Sequence, residues 1–392
     1  MLTNKLISEK LDQDMRDWRH DIHKHPELGF EEIRTSDQIA KLLTDFGLEV
    51  HRGIGQTGIV AVLNNGKSGA SIGLRADMDA LEIQEQTGLP YQSVHDGKMH
   101  ACGHDGHTAM LLGAAKHLAD HPDFDGTVYF IFQPAEEHGR GALGMMGDNM
   151  FQRFEMDAIY AIHNMPNIPA GHIAVRPGPM MACEDNFEIH IQGKGTHAAL
   201  PHLGIDPIVI GAEIVTALQT IIARRMDPLS QGVISVTEFT TDGTRNVIPD
   251  TVTLKGDTRS FTPDMQDFIE NSMHRIVKGV CAAHGVEFTF KYSREFAATI
   301  NTKEEAEQAA RVAKDLIGPE LVDENCSPVM ASEDFGFMLQ KKQGAYIFLG
   351  NGGGGPGGCG LHSPNYDFND EILSLGATFW VNLVKDQLPL NK

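Results

Sequence analysis

Four short apolar segments, separated by helical ones, constrain the fold of this chain more than any other feature. Each lacks the alternation of apolar and polar residues that marks a half-exposed strand. They are GIVAVL (58–63), SIGLRA (71–76), TVYFIF (127–132) and DAIYAI (157–162). Helices are predicted at 2–25, 32–46 and 107–121. Continuous apolar strands among helices favour a mixed α/β sheet with helices on both faces.

The middle of the chain has a different pattern. Residues 186–193 alternate like a half-exposed strand. Further strands are predicted at 232–240, 251–260 and 286–293, and helices at 206–224 and 264–284. The resulting order, β-α-β-β-α-β, is that of a ferredoxin-like unit. A helix (303–318), a buried strand (344–350) and a last helix (371–387) follow. We therefore predict a discontinuous catalytic domain, 1–184 and 295–392, with residues 185–294 inserted as a second domain.

Composition excludes several classes of protein. A chain of 392 residues suits two domains with cores of their own. The five cysteines are odd in number and far apart, which does not fit a disulfide framework. A formal charge of −21 disfavours nucleic acid and anionic membranes as partners. No apolar run reaches the roughly 18 residues of a membrane span. The N-terminal segment is charged and lacks the apolar stretch of a secretory signal, so we expect a cytoplasmic protein.

Residues able to bind metal follow the predicted strands. Asp77 and Asp79 come after 71–76, Glu136 and Glu137 after 127–132, and His163 after 157–162. A glycine-rich segment after 344–350 leads to His362. Because the carboxyl ends of strands in an open α/β sheet form a crevice, these side chains are expected to meet there.

The segment HACGHDGHTAM (100–110) places a thiol among histidines. One hypothesis is a hydrolase with Cys102 as nucleophile and His104 or His107 as its base. A non-catalytic metal-binding protein is another. A structural zinc site would be expected to contain more cysteines at regular spacing. A binuclear centre accounts for Cys102, His104, Glu137, His163 and His362 together, with one of them bridging the two ions.

Eight motifs then carry a family resemblance over essentially the whole chain. In order, they are HPELGFEE, GLRADMDAL, HACGHDGHTAMLLGAA, QPAEE, AIHNMP, GKGTHAALPH, NVIPD and SEDF. The sequence resembles the M20 metallopeptidases, in particular the branch of hippurate hydrolases and auxin-conjugate amidohydrolases. The resemblance implies an α/β catalytic domain with an inserted ferredoxin-like domain, which serves as lid and dimerisation surface. It also implies a homodimer or homotetramer.

The resemblance also assigns roles. The five residues named above are the expected ligands of two divalent ions, with Cys102 bridging. Zinc fits the ligands best, and Mn²⁺, Co²⁺ or Ni²⁺ are alternatives. Glu136 is the expected general base and acid. Asp79 and Asp105 are expected to orient ligands, whereas His100 and His107 receive no role.

In the inserted domain, His197 matches the residue expected to stabilise the oxyanion. Asn246 and Arg259 match substrate-binding positions, although Asn246 could simply cap a turn and Arg259 could pair with Asp257. The predicted reaction is hydrolysis of the amide bond of a small N-acyl amino acid. A dipeptide hydrolase of aminoacylase or carboxypeptidase type is the alternative on the same scaffold.

Overall fold

The computed structural model describes residues 6–353 and 358–390. Its α-helices are α1 (Glu9–Lys24), α2 (Ile33–Asp45), α3 (His104–Asp120), α4 (Gly141–Gly147), α5 (Met150–Arg153), α6 (Pro207–Thr220), α7 (Pro263–His284), α8 (Lys303–Ile317), α9 (Phe335–Leu339) and α10 (Leu373–Gln387).

The strands are β1 (Glu49–Ile54), β2 (Gly58–Asn65), β3 (Ser71–Asp77), β4 (Gly126–Gln133), β5 (Ala158–Pro166), β6 (Ile173–Ala174), β7 (Gly178–Met181), β8 (Cys183–Gln192), β9 (Thr196–His197), β10 (Gly232–Thr241), β11 (Val247–Ile248), β12 (Thr251–Ser260), β13 (Glu287–Phe296), β14 (Thr299–Asn301), β15 (Val322–Asp323) and β16 (Gln343–Gly352).

The chain forms two compact units. The first contains Met1–Met180, Ile300–Ser327 and Asp334–Lys392. Its eight-stranded sheet has the order β1-β2-β4-β3-β5-β16-β6-β15. The central strands β4, β3, β5 and β16 are mutually parallel, whereas β1 and β2 pair antiparallel with their neighbours. Strand β6 is antiparallel to β16 and parallel to β15. The predicted mixed α/β fold is confirmed.

The core of this unit explains the continuous apolar strands. Every residue of β3 is buried. Helices α1, α2, α3, α8 and α10 contribute to one apolar cluster with the sheet, in which Leu111, Phe130 and Trp380 are fully or almost fully buried. Strands enclosed in this way gain stability from apolar residues at every position.

Two helix starts differ from the prediction by three residues or more. Residues 2–5 lie outside the described residues, and α1 begins at Glu9 because the Ser8 side chain accepts a hydrogen bond from the Leu11 N–H. Helix α3 begins at His104, three residues before the predicted start. Gly103 caps it in a left-handed conformation with φ of 94°, which the usual polar cap residues do not signal.

The second unit contains Met181–Thr299 and Pro328–Glu333. Its antiparallel sheet has the order β10-β12-β8-β13, and its chain order is strand-helix-strand-strand-helix-strand. Helices α6 and α7 share an apolar core with it, around Ile189, Leu254 and Met273. The short segment 328–333 joins this unit because the Ala182 N–H faces the carbonyl oxygens of Val329 and Ala331.

Helix α6 continues into a π-helical turn, and the stretch Pro207–Arg225 is the one described helix long and apolar enough to cross a membrane. Such a helix is weak evidence for a span, since core helices pass the same test. Here Ile210, Ile214 and Leu218 are buried in the core of the second unit.

Candidate metal centre

The carboxyl ends of the parallel strands place the predicted ligands at one edge of the first unit's sheet. Strand β4 ends just before Glu136 and Glu137, and β5 carries His163 near its end. The N-terminus of α3 supplies His104, and Cys102 lies two residues before it, on the other side of Gly103. After β16 the chain returns to this edge, where the His362 N–H donates to the Ala101 carbonyl at 2.8 Å.

The five predicted ligands form two groups that share the thiol. Ligand atoms of Cys102, His104 and His163 lie within 4.8 Å of one another, and so do those of Cys102, Glu137 and His362. The Cys102 Sγ is 3.4 Å from the His163 Nε2, and the His362 Nε2 is 3.3 Å from a Glu137 oxygen. Each group offers three donor atoms, and the thiol belongs to both groups.

Hydrogen bonds on the far side of each buried histidine direct its other nitrogen into this cluster. The Nδ1–H of His104 donates to the carbonyl and the carboxylate of Asp79, at 3.0 and 3.1 Å. The Nδ1–H of His163 donates to the Asn164 carbonyl at 2.6 Å. Each Nε2 is thereby left as the potential metal ligand. Asp79 also accepts the Glu137 N–H at 3.0 Å, so one carboxylate orients two candidate ligands.

The buried Nε2 of His104 has no hydrogen-bond partner among the described residues. The Oε1 of Glu137, 3.9 Å away, also lacks a hydrogen bond of regular geometry there, although the His362 Nε2 lies 3.3 Å from it. Burying such atoms without partners is unfavourable, and a cation bound by both would satisfy them. The mixed S, N and O donors match a site for borderline divalent metals. The residues present therefore fit two divalent ions.

The electrostatics of the cluster support the same conclusion. Burial, followed by the charges of Glu137 and Glu136, raises the pKa of the Cys102 thiol well above its ordinary value. Burial alone would lower the pKa of His104, but Asp77 and Asp79 raise it to about 10. The surroundings thus favour positive charge, which divalent cations would supply.

Glu136 lies beside the ligands without belonging to either group that shares Cys102. Its side chain is almost buried, and one carboxylate oxygen is 4.0 Å from the His104 Nε2. The preceding residue, Ala135, has a positive φ of 49°, and its N–H donates to the buried carboxyl of Glu32 at 2.8 Å. Glu32, which the sequence analysis missed, thus holds the turn that carries Glu136.

Asp105 has contacts other than those expected. Its Oδ2 accepts hydrogen bonds from Arg19 at 3.0 Å and His23 at 2.9 Å, and none of its described hydrogen bonds reaches a candidate ligand. Asp105 instead neutralises a buried arginine from α1. His100 is buried nearby, with both ring nitrogens lacking a hydrogen-bond partner among the described residues.

The structure also reveals a network behind the ligands. The His107 Nδ1 is 2.6 Å from Asp77, which in turn pairs with Arg75 at 2.7 Å. Arg75 also contacts Asp334 at 3.2 Å. The Asp-Met-Asp sequence at 77–79 was the available signal, but only the fold shows that His107 is its partner.

The remaining predicted residues belong to the second unit. His197 and Val247 pair across β9 and β11, and Asn246 lies next to them. His197 and Asn246 are exposed, and the Asn246 side chain makes no hydrogen bond to a described residue. Arg259 is held by Asp257 at 2.7 Å and Glu184 at 2.8 Å, so the pairing considered as its alternative role is present.

The chain is similar to known proteins over nearly its whole length. Residues 73–386 match the model of peptidase family M20/M25/M40. The chain is 40% identical to hippurate hydrolase of Campylobacter jejuni, over 96% of this chain and 98% of that protein. It is 37% identical to IAA-amino acid hydrolase ILR1-like 2 of Arabidopsis thaliana, over 99% and 89%. The crystal structure of the Bacillus subtilis YXEP protein, described as a dinuclear metal binding peptidase, superposes with a TM-score of 0.84, at 32% identity over 96% and 98% of the two chains.

Proposed function

This chain belongs to peptidase family M20/M25/M40, and from that premise we propose that it hydrolyses the amide bond of small N-acyl amino acids. Hippurate-like, N-acetyl and aryl-acyl amino acids are the substrate class, and the products are a carboxylic acid and a free amino acid. The single observation that carries the proposal is the pair of ligand groups sharing Cys102, with Glu136 beside them.

Cys102, His104, Glu137, His163 and His362 would hold two divalent ions, for which zinc is our first choice. When bound, the ions supply the Lewis acidity that polarises the amide carbonyl and makes the attacking water more acidic. Asp79 contributes by fixing the His104 ring and the Glu137 backbone.

Glu136 moves the proton. Its carboxylate takes a proton from the attacking water as the carbon–oxygen bond forms. It then gives that proton to the amide nitrogen as the carbon–nitrogen bond breaks. The turn held by Glu32 aims the carboxylate for both transfers.

We assign His197 to the oxyanion, in this subunit or in a dimer partner, and Asn246 and Arg259 to the substrate carboxylate or carbonyl. His197 on β9 and Asn246 just before β11 are both exposed, which supports this assignment. For Arg259 to bind substrate, it has to loosen its pairing with Asp257 or Glu184.

We also propose that the second unit is the ferredoxin-like lid and dimerisation domain. The sequence of α6 leaves Ile208 and Val209 exposed, and Phe239 is exposed on β10, an edge strand of that sheet. Exposed apolar side chains beside an unpaired strand edge suit association with a second copy. The formal charge of −21 makes nucleic acid an unfavourable partner, and we place the enzyme in the cytoplasm.

Elemental analysis combined with hippurate hydrolysis, with and without chelator, tests the function. We expect two divalent ions per chain, loss of turnover on chelation and recovery when zinc is restored. Metal-independent turnover that thiol alkylation abolishes would support a Cys102 nucleophile instead. Bound metal without turnover on hippurate or any N-acyl amino acid would support a non-catalytic metal-binding protein.

A further inference from the structure

Asn164 is a fully buried amide next to the candidate ligand His163, and sequence analysis gave it no role. We propose that Asn164 is a positioning residue that fixes Cys102 and His163 relative to each other, and so defines one of the two metal positions. The inference rests on the proposed metal centre and deepens it.

The backbone of Asn164 holds two histidines in defined tautomers. Its carbonyl accepts the Nδ1–H of His163, which directs the Nε2 of His163 toward the Cys102 thiol. Its N–H donates to the His107 Nε2 at 2.9 Å, so the proton of a neutral His107 resides on Nδ1, beside Asp77 at 2.6 Å. The end of β5 is thereby tied to β3 through His107 and Asp77.

The side chain of Asn164 holds the cysteine. Its Nδ2 donates to the Cys102 carbonyl at 2.6 Å, and its Oδ1 accepts the hydroxyl of Tyr366 at 2.6 Å. This position requires one donor and one acceptor on the same short side chain, which an amide provides. An ionised aspartate lacks the donor and an apolar residue lacks both.

The peptide between Cys102 and His104 packs directly on the same amide. A Cβ atom on Gly103 would lie 2.2 Å from the Asn164 Nδ2 and 2.5 Å from the Tyr366 hydroxyl. Gly103 also has a φ of 94°, which disfavours other residues. The two candidate ligands on either side of Gly103 are therefore placed by close contact with Asn164.

Cobalt(II) titration tests the proposal, because a thiolate bound to cobalt gives a charge-transfer band that reports on the Cys102 ligand independently of activity. We expect Asn164→Ala to lower the affinity for one of the two ions by about 10–100-fold, which is the usual effect of losing a residue that orients a ligand. The thiolate band should shift or lose intensity. Asn301→Ala is the matched control, because Asn301 is a buried amide with three hydrogen bonds and none to a candidate ligand.

Tyr366→Phe removes only the hydroxyl that orients the Asn164 amide, and we expect a smaller change in the same direction. If Asn164→Ala fails to fold, this variant decides the question. The inference would be overturned if the folded variants bind two ions with wild-type affinity and keep an unchanged thiolate band. That result would leave the proposed metal centre standing. A wild-type protein that binds fewer than two cobalt ions would overturn the proposed centre, and this inference with it.

Discussion

Glu32 is a fully buried carboxyl whose ionisation we expect to cost stability. Its two oxygens accept hydrogen bonds from the Ala135 N–H at 2.8 Å and the Thr57 hydroxyl at 2.6 Å. Burial, followed by the charge of Asp79, raises its pKa from the ordinary value of 4.5 to about 7. The substitution Glu32→Gln removes the ionisation and keeps an amide oxygen for the Ala135 N–H.

The direction in which stability changes with pH follows from the number of protons that the folded and unfolded states bind. Between pH 4.5 and about 7, the folded protein retains a proton on Glu32 that the unfolded chain has lost, so stability falls as the pH rises. The difference between the two pKa values, at 1.36 kcal/mol per pH unit, amounts to about 3 kcal/mol. The Glu32→Gln variant has no carboxyl to ionise at this position, so it does not lose this stability. Its stability relative to wild type should therefore increase by about 3 kcal/mol from about pH 4.5 to about pH 8.

Guanidinium unfolding of both proteins across this pH range, with metal saturating, measures the difference. Any constant penalty from rearranging the Thr57 hydrogen bond cancels, because only the pH dependence is compared. Glu82→Gln, which removes a carboxylate from an exposed position, is the control and should show little pH-dependent change. A stability difference between Glu32→Gln and wild type that stays constant with pH would refute the argument.

Three further predictions concern other groups. Glu136→Gln should retain both metals by elemental analysis and lose about 10²–10⁴-fold in kcat, because the proton carrier is gone; near-normal kcat with metal in place would exclude Glu136 as the base. Burial alone would lower the pKa of His23, but Asp105 raises it to about 9. The protonated His23 therefore contributes its full stabilisation below pH 6.5, and this stabilisation is lost as the pH rises through about 9. His23→Gln should remove this part of the alkaline decline in thermal stability, and an unchanged decline would contradict the assignment. Val209→Glu, on the exposed face of α6, should shift the mass measured by light scattering from dimer to monomer, whereas an unaltered dimer would place the interface elsewhere.

The sequence predicted the central strands of the large sheet because they are enclosed, whereas β1, β6 and β15 at its ends were not predicted. Burial on both faces gives β3, β5 and β16 continuous apolar sequences, and their ends locate Asp79 and His163. The local sequence pattern did not predict side-chain contacts between residues that are distant in sequence. Asp105 meets Arg19 across 86 positions, and Asn164 meets Cys102 across 62, so neither contact has a local signature.

The five candidate ligands differ in how firmly the fold encloses them. The side chains of Cys102, His104, His163 and Glu137 are at most 11% exposed, whereas that of His362 is 52% exposed. His362 also has a φ of 61°, which costs a non-glycine residue energy. We therefore expect a bound metal ion to exchange with the surroundings after His362 dissociates from it. The other four ligands would stay in place during this step. A substitution that relaxes the backbone at His362 would then change how long an ion resides in the centre more than it changes where the ion is held.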